Sequence, residues 1–90
     1  MRREGERLIL EGEVTLGRAA AMLAESTSLM AEGVTVVDFG AVTTTDSAAI
    51  ALAVEWLRQA AVAGRKLQFA NMPGSMRKMA KLYAVTELLQ

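Results

Sequence analysis

The chain contains no cysteine and no histidine. Without cysteine it has no disulfide framework, no thiolate metal site and no cysteine nucleophile, and a cytoplasmic location is the simplest interpretation. Without histidine it lacks the commonest general base and the commonest metal ligand. No convergent arrangement of carboxylates, lysine and serine replaces them. We therefore expect a protein that is not an enzyme, with no catalytic residues, no metal site and no cofactor.

An excess of charge of either sign is also missing, because ten basic residues balance ten acidic ones. Nucleic-acid binding normally needs a basic face, so we expect no nucleic-acid partner. No apolar stretch approaches the length of a membrane span, and the basic start Met1-Arg2-Arg3 lacks the apolar segment of a signal peptide. We expect no direct membrane insertion. The absence of a glycine-rich phosphate-binding loop gives no support to nucleotide binding.

Aromatic residues make up only 4% of the chain, whereas 52% of it is hydrophobic. That content is sufficient for a compact core built mainly from alanine, valine, leucine and methionine. Ninety residues correspond to one domain, which we assign to residues 1–90.

Hydrophobic periodicity predicts the order β-β-α-β-α-β-α. A small mixed α/β sheet of about four strands, with three helices packed on it, is the expected result. The predicted elements are strands Arg7–Leu10 and Glu13–Leu16 in a hairpin around Glu11-Gly12, a helix Arg18–Ala31, a strand Thr35–Phe39, a helix from Asp46 to a stop at Gly64, a strand Arg65–Ala70 and a short last helix through Met76, Met79, Ala80 and Tyr83.

The second predicted helix has the clearest period, with its core stripe at Ile50, Val54, Leu57 and Ala61 and with Ala53 and Ala60 beside it. Leu52 and Trp56 form a flanking stripe. A partly exposed tryptophan is a potential binding anchor, but packing against a neighbouring element is the favoured interpretation of Trp56. The strand Thr35–Phe39 is almost continuously apolar, which predicts coverage on both faces of the sheet.

The last part of the chain carries methionines and cations. Met72, Met76 and Met79 are interpreted mainly as core filling, with an adaptable contact patch as the alternative. Arg77, Lys78 and Lys81 are interpreted as a solvated face of the last helix. Contact with acidic residues of a partner is the alternative for these three cations.

Residues 34–50, VTVVDFGAVTTTDSAAI, carry the candidate recognition site. A predicted strand ends near Asp38-Phe39-Gly40, a threonine-rich loop follows, and Asp46-Ser47 opens the long helix. The first backbone N–H groups of a helix lack internal partners, and the helix dipole is positive there. Capping of the helix is the favoured role of Asp46. A docked partner therefore meets a hydroxyl, a carboxylate and free donors at one corner, which should lie at the carboxyl edge of the sheet.

The chain resembles the STAS domain, the family of the anti-sigma-factor antagonists and of the C-terminal domains of sulfate transporters. Val37-Asp38-Phe39 followed by Thr45-Asp46-Ser47-Ala48-Ala49-Ile50 carries this resemblance. Lys66-Leu67-Gln68-Phe69 and Met79-Ala80-Lys81-Leu82-Tyr83-Ala84-Val85 are similar to the MlaB-type group within it.

The MlaB-type resemblance implies a cytoplasmic subunit that binds the ATPase of an ABC transporter for phospholipid and supports its assembly and activity. The protein would contribute to outer-membrane lipid asymmetry and would lie at the inner membrane through the permease complex. The implied partner-binding residues are Thr44, Thr45, Asp46, Ser47, Ala48 and Ala49.

The alternative is an anti-sigma-factor antagonist, in which a partner kinase phosphorylates Ser47. The family commonly has glycine where this chain has Ala49. The added methyl is expected to hinder close approach of a partner backbone and so to weaken the kinase alternative.

Overall fold

The structure, a computed structural model, describes residues 1–89. Seven elements follow one another in the predicted order β-β-α-β-α-β-α. They are β1 (Arg2–Glu4), β2 (Arg7–Val14), α1 (Leu16–Ala31), β3 (Val36–Thr45), α2 (Ser47–Val62), β4 (Gln68–Ala70) and α3 (Gly74–Leu82). The described residues form one four-stranded mixed sheet and three helices, which confirms the predicted α/β class.

The sheet has the strand order β1-β2-β3-β4, with β1 antiparallel to β2 and the other neighbouring pairs parallel. The hairpin lies at Gly5-Glu6 between β1 and β2, so its predicted position at Glu11-Gly12 is wrong. Strand β2 runs through Gly12, which has a φ of +75° and lies between two shifts of the β2–β3 register. Glycine at this position therefore accommodates a bulge inside a strand rather than a turn between strands.

Strand β3 is longer than predicted, because the threonine-rich segment is part of it. The pairing of β2 with β3 continues as far as Val14 with Thr45. Threonine is β-branched and fits a pleated strand, so Thr43–Thr45 extend β3 and do not form the predicted loop. Helix α1 begins two residues earlier than predicted, at Leu16, and β4 is shorter than predicted, at Gln68–Ala70.

All three helices form one layer that packs on one face of the sheet. The β2–α1–β3 and β3–α2–β4 connections step in the same direction, and right-handed crossovers then place both helices on the same face. Side chains on this covered face are at most 1% exposed: Leu8, Leu10, Val37 and Phe39. On the other face the side chains are only partly buried: Arg7, Ile9, Val36 and Asp38. The predicted coverage of both faces is therefore wrong.

On the uncovered face of the sheet, Asp38 organises a polar network. Its Oδ2 accepts a 2.7 Å hydrogen bond from Nη1 of Arg7. Its Oδ1 accepts from Nδ2 of Asn71 at 3.0 Å and from the backbone N–H of Gly40 at 2.7 Å. These donors, with Asn71 first, hold the pKa of Asp38 below its usual value. The network attaches the segment after β4 to the middle of the sheet.

The core-facing side of helix α2 agrees only in part with the side that its period predicted. Trp56 and Ala53 are fully buried and Leu52 is 4% exposed, whereas Val54 is 38% exposed. Ala61 is also exposed. Of the predicted stripe, Ile50 is buried and Leu57 packs against the core, as Ala53 and Ala60 beside it also do. The assignment of Val54 and Ala61 to the core is wrong, and Leu52 and Trp56 belong to the core.

Trp56 is an internal packing residue, which excludes the binding-anchor interpretation. Its indole Nε1 donates a 2.8 Å hydrogen bond to Oγ of Ser26 in α1, and that hydroxyl donates to the carbonyl of Leu23 at 3.0 Å. Met76 of α3 is fully buried, and Met72 and Met79 pack against the core. Core filling by these methionines is thus confirmed.

The far ends of α1 and α2 are joined by an arginine. Arg65, which follows α2, donates from Nη1 to the carbonyl of Met30 at 2.9 Å and from Nη2 to the carbonyl of Ala31 at 3.0 Å. The last carbonyls of a helix lack internal partners. Arg65 donates to two of the last carbonyls of α1 and thereby fixes this end of α1 to the chain that leaves α2.

Candidate functional site

The N-termini of the three helices meet at one edge of the sheet. Each helix begins two to four residues after a strand ends: α1 after Val14, α2 after Thr45 and α3 after Ala70. Because these strands are parallel, their carboxyl ends share an edge, where open α/β sheets favour binding sites. The predicted position of the Asp46-Ser47 corner at this edge is confirmed.

Asp46 caps two helices with one carboxylate. Its Oδ1 accepts a 2.8 Å hydrogen bond from the backbone N–H of Ala48, which confirms the predicted cap of α2. Its Oδ2 accepts a 3.0 Å hydrogen bond from the backbone N–H of Leu16, the first residue of α1. Thr15, the N-cap of α1, makes no side-chain cap of its own. Asp46 therefore holds the starts of α1 and α2 together, and both of its oxygens are engaged within the fold.

Ser47 is exposed at the first position of α2. Within residues 1–89 its hydroxyl has no side-chain or backbone hydrogen-bond partner, so it is available to a docked molecule. Thr44 is also exposed. Thr45 is half-buried, and its Oγ1 lies 3.1 Å from Oγ of Ser75 in the first turn of α3. Thr45 thus connects the corner to α3.

The two alanines that follow Ser47 are buried, although both were predicted to contact a partner. Ala49 is fully buried in the core and Ala48 is 8% exposed. Ala49 therefore offers no surface to a partner, and its assignment to the binding residues is wrong. Its methyl group points into the fold, so the replacement of glycine at this position leaves the outer surface unchanged. The expected hindrance to an approaching backbone is wrong for the same reason.

An open apolar groove begins at Ser47 and runs between α1 and α2. Its volume is ≈ 370 Å³. Small and aliphatic side chains line it: Leu16, Ala19, Ala20, Leu23, Ser47, Ala48, Ala51 and Leu52, with Glu55 at the rim. Leu16 is 77% exposed at the mouth of the groove. Lining residues of this size permit close approach of another chain.

The outer face of α2 continues from the groove and is also largely apolar. Starting at Ser47, the exposed residues recur at three- and four-residue steps and so lie along one side of the helix: Ser47, Ala51, Val54, Arg58, Ala61 and Val62. Val62 is 79% exposed. Arg58 is the one charged residue of this face, and its guanidinium hydrogen-bonds to Glu55. That bond holds the pKa of Glu55 below its usual value.

The candidate site thus combines an exposed hydroxyl, a carboxylate that caps two helices and an apolar groove. Residues 1–89 contain no cluster of three or more metal-ligating His, Cys, Asp or Glu side chains. In the same part of the chain, no helix has the length and apolar character needed to cross a membrane. The sequence prediction found Ser47 and Asp46 but missed the contribution of α1 through Leu16, Ala19 and Ala20. The available signal was Leu16, an apolar residue just before the predicted start of the first helix at Arg18.

Comparison with solved structures shows where this fold has been seen before. The unphosphorylated anti-sigma factor antagonist SpoIIAA is 20% identical, with a TM-score of 0.65 over 91% of this chain and 79% of that one. A sulfate transporter family protein from Wolinella succinogenes is 16% identical, with a TM-score of 0.68 over 100% of this chain and 76% of that one. At these identities the likeness concerns the fold. No curated protein sequence matches the chain.

A protein-family profile described as "Mlab, STAS domain" matches residues 1–90. The match includes the Asp46-Ser47 corner, both elements that form the groove, and the last helix. The chain belongs to the STAS domain family, and within it to the MlaB-like group.

Proposed function

We propose that this protein is a non-catalytic subunit that binds the cytoplasmic ATPase of an ABC transporter for phospholipid. Bound, it stabilises the ATPase in a form competent for dimerisation and nucleotide turnover. It is cytoplasmic and reaches the inner membrane only through the transporter complex, where it contributes to outer-membrane lipid asymmetry. Membership of the MlaB-like group supports the choice of partner, and the surface around Ser47 supports the mode of binding.

The observation that carries the proposal is the exposed apolar face of α2. A helix that is apolar on all sides is normally buried on all sides. Of the sixteen residues of α2, four are polar or charged: Ser47, Glu55, Arg58 and Gln59. The sheet and the neighbouring helices cover only the side that carries Leu52 and Trp56. The opposite side, with Ala51 and Val62, fits a protein partner that completes its burial.

The groove supplies an attachment point at the start of this face. An apolar side chain of the partner that enters it would contact Ala20 and Ala51 and cover Leu16. Burying an exposed leucine contributes about 1.5–3 kcal/mol, so Leu16 is well suited to be a strong contact. The Ser47 hydroxyl at the rim provides a directional hydrogen bond beside the positive end of α2. Apolar contact therefore supplies affinity, and Ser47 supplies orientation.

The test uses the purified ATPase subunit with and without this protein. We expect faster ATP hydrolysis and a higher melting temperature of the ATPase when the protein is added. Ser47→Glu places a charge at the groove and is expected to abolish both effects. Ser28→Glu is the matched control, because Ser28 is exposed near the other end of α1. Unchanged turnover and stability with the wild-type protein would overturn the proposal.

A second function, an anti-sigma-factor antagonist switched by phosphorylation, is favoured by one observation. The Ser47 hydroxyl is exposed at a helix N-terminus, where a phosphate is electrostatically tolerated. Its charge of about −1.5 to −2 would lie next to the Asp46 carboxylate and would change what the corner binds. Mass spectrometry of protein from its native cell tests this function. A phosphate on Ser47 that appears or disappears under stress supports it, and its absence in all conditions counts against it.

A further inference from the structure

The zero net charge of the chain conceals an uneven distribution. Residues 1–46 carry eight acidic and four basic side chains, whereas residues 47–90 carry two acidic and six basic side chains. The two halves therefore differ in formal charge, −4 against +4. Three of the six cations in the second half lie on α3: Arg77, Lys78 and Lys81.

The lysines differ from the arginines in how they are used. Within residues 1–89 each arginine bonds a carboxylate or a backbone carbonyl: Arg2, Arg3, Arg7, Arg18, Arg58, Arg65 and Arg77. In the same part of the chain, three lysines bond neither a carboxylate nor a backbone carbonyl: Lys66, Lys78 and Lys81. Two of these three free ammonium groups lie one helical turn apart on α3, and both residues are exposed. Their charge is left for another molecule.

These lysines lie on the helix whose first turn contacts the strand leading to Ser47. Ser75 lies at the start of α3, and its Oγ is 3.1 Å from Oγ1 of Thr45. With a rise of 1.5 Å per residue, Lys78 and Lys81 follow Ser75 by about 5 and 9 Å along the helix axis. Leu82 lies beside them and is 78% exposed. We call Lys78, Lys81 and Leu82 the basic face of α3.

We propose that the basic face of α3 binds a carboxylate-bearing surface of the same protein partner that docks at Ser47. The inference rests on the proposed function, because one partner must reach both places. Charge complementarity supports an acidic occupant, since two free ammonium groups lie on the same side of α3 as an exposed leucine. A lipid surface fits less well. Sequence-encoded binding of anionic lipid uses clusters of about four to eight cations, and this face has fewer.

The experiment measures the dissociation constant for the purified ATPase subunit at low and at physiological salt. The double variant Lys78→Glu/Lys81→Glu is expected to bind about tenfold more weakly at low salt and to lose most of the salt dependence of the wild type. Lys66→Glu is the matched control. Lys66 is an exposed lysine that is also free, but it precedes β4 and so lies toward the opposite edge of the sheet from the helix N-termini. Circular dichroism establishes that each variant is folded.

The outcomes separate this inference from the function on which it rests. No binding by the wild type would overturn the proposed function, and the inference with it. The inference alone would be overturned if Ser47→Glu weakens binding while the lysine double variant binds as tightly as Lys66→Glu. Binding of the wild type to vesicles of phosphatidylglycerol and phosphatidylethanolamine, lost in the double variant while ATPase binding is unchanged, would assign the face to lipid and overturn the inference.

Discussion

The hydrogen bond between Trp56 and Ser26 links α2 to α1 inside the core, and its removal tests how the two helices are held. Both side chains are fully buried, and Nε1 of Trp56 lies 2.8 Å from Oγ of Ser26. Ser26→Ala removes the only acceptor of this indole N–H among residues 1–89 and changes little else in volume. A buried donor without a partner costs about 1–3 kcal/mol.

One effect opposes this loss, because alanine favours a helix over serine by about 0.5 kcal/mol. The net expectation for Ser26→Ala is therefore a loss of about 0.5–2.5 kcal/mol in the free energy of unfolding. For a domain of this size, each kcal/mol corresponds to about 4–8 °C in melting temperature. Urea unfolding followed by the fluorescence of Trp56, the one tryptophan of the chain, measures the change directly.

The control variant is Ser28→Ala, which makes the same chemical change on the same helix at an exposed position. It is expected to be neutral or slightly stabilising. Trp56→Phe removes the donor, so Ser26→Ala should cost less in that background, and the double-mutant cycle gives the coupling energy. Because Trp56→Phe also removes the one tryptophan, unfolding of all four proteins in the cycle is followed by circular dichroism. Equal stability of Ser26→Ala and Ser28→Ala would refute the reasoning that the buried hydroxyl stabilises the fold.

Substitutions at three further positions test the capping and ion-pair contacts. Asp46→Ala should lower the free energy of unfolding by about 1–2 kcal/mol, whereas Asp46→Asn should retain the cap of α2 and lose less, as measured by urea unfolding. The pKa of Asp38 is lower in the folded protein than in the unfolded chain, where it is about 4. The ionised carboxylate therefore stabilises the fold above the unfolded pKa, and this stabilisation is lost as the pH falls through the lower folded pKa. Asp38→Asn should therefore be less stable at pH 7 and show a shallower loss of stability on acidification, and parallel curves for the two proteins would contradict this. Arg65→Lys removes a guanidinium that donates to two carbonyls of α1, and it should lower the free energy of unfolding, measured with urea, by about 0.5–1.5 kcal/mol. The control is Lys66→Ala at the neighbouring position, which should leave the free energy of unfolding nearly unchanged.

The order of elements was predictable because each period is local to its own segment. The hairpin was not, because glycine has more than one use. Gly5 and Gly12 both have positive φ, yet only Gly5 lies in a turn, and Gly12 lies at a bulge that depends on pairing with β3. Register with a strand more than twenty residues away is not visible in a short window of sequence.

The candidate site was predictable in part for a related reason. Asp46 and Ser47 follow from local helix-start chemistry. The contribution of Leu16 depends on how α1 lies against α2, which no local pattern reports. On α2 itself the abundance of alanine and valine concealed which side faces the core. Val54 fits a core period, but it is 38% exposed because it lies on the side of α2 that faces away from the core.

The spacing of α1 and α2 is fixed at both ends by single side chains. Asp46 joins their N-terminal ends, and Arg65 ties the chain leaving α2 to the C-terminal end of α1, about 24 Å along that helix. The groove between them is therefore held open at a set width before anything enters it. A partner that matches this width can bind without moving α1 or α2. Binding then costs this protein little conformational entropy. In the proposed complex, substitution of Asp46 or Arg65 would thus weaken docking by altering the shape of the groove. A binding defect at either residue would then report on the width of the groove rather than on direct contact.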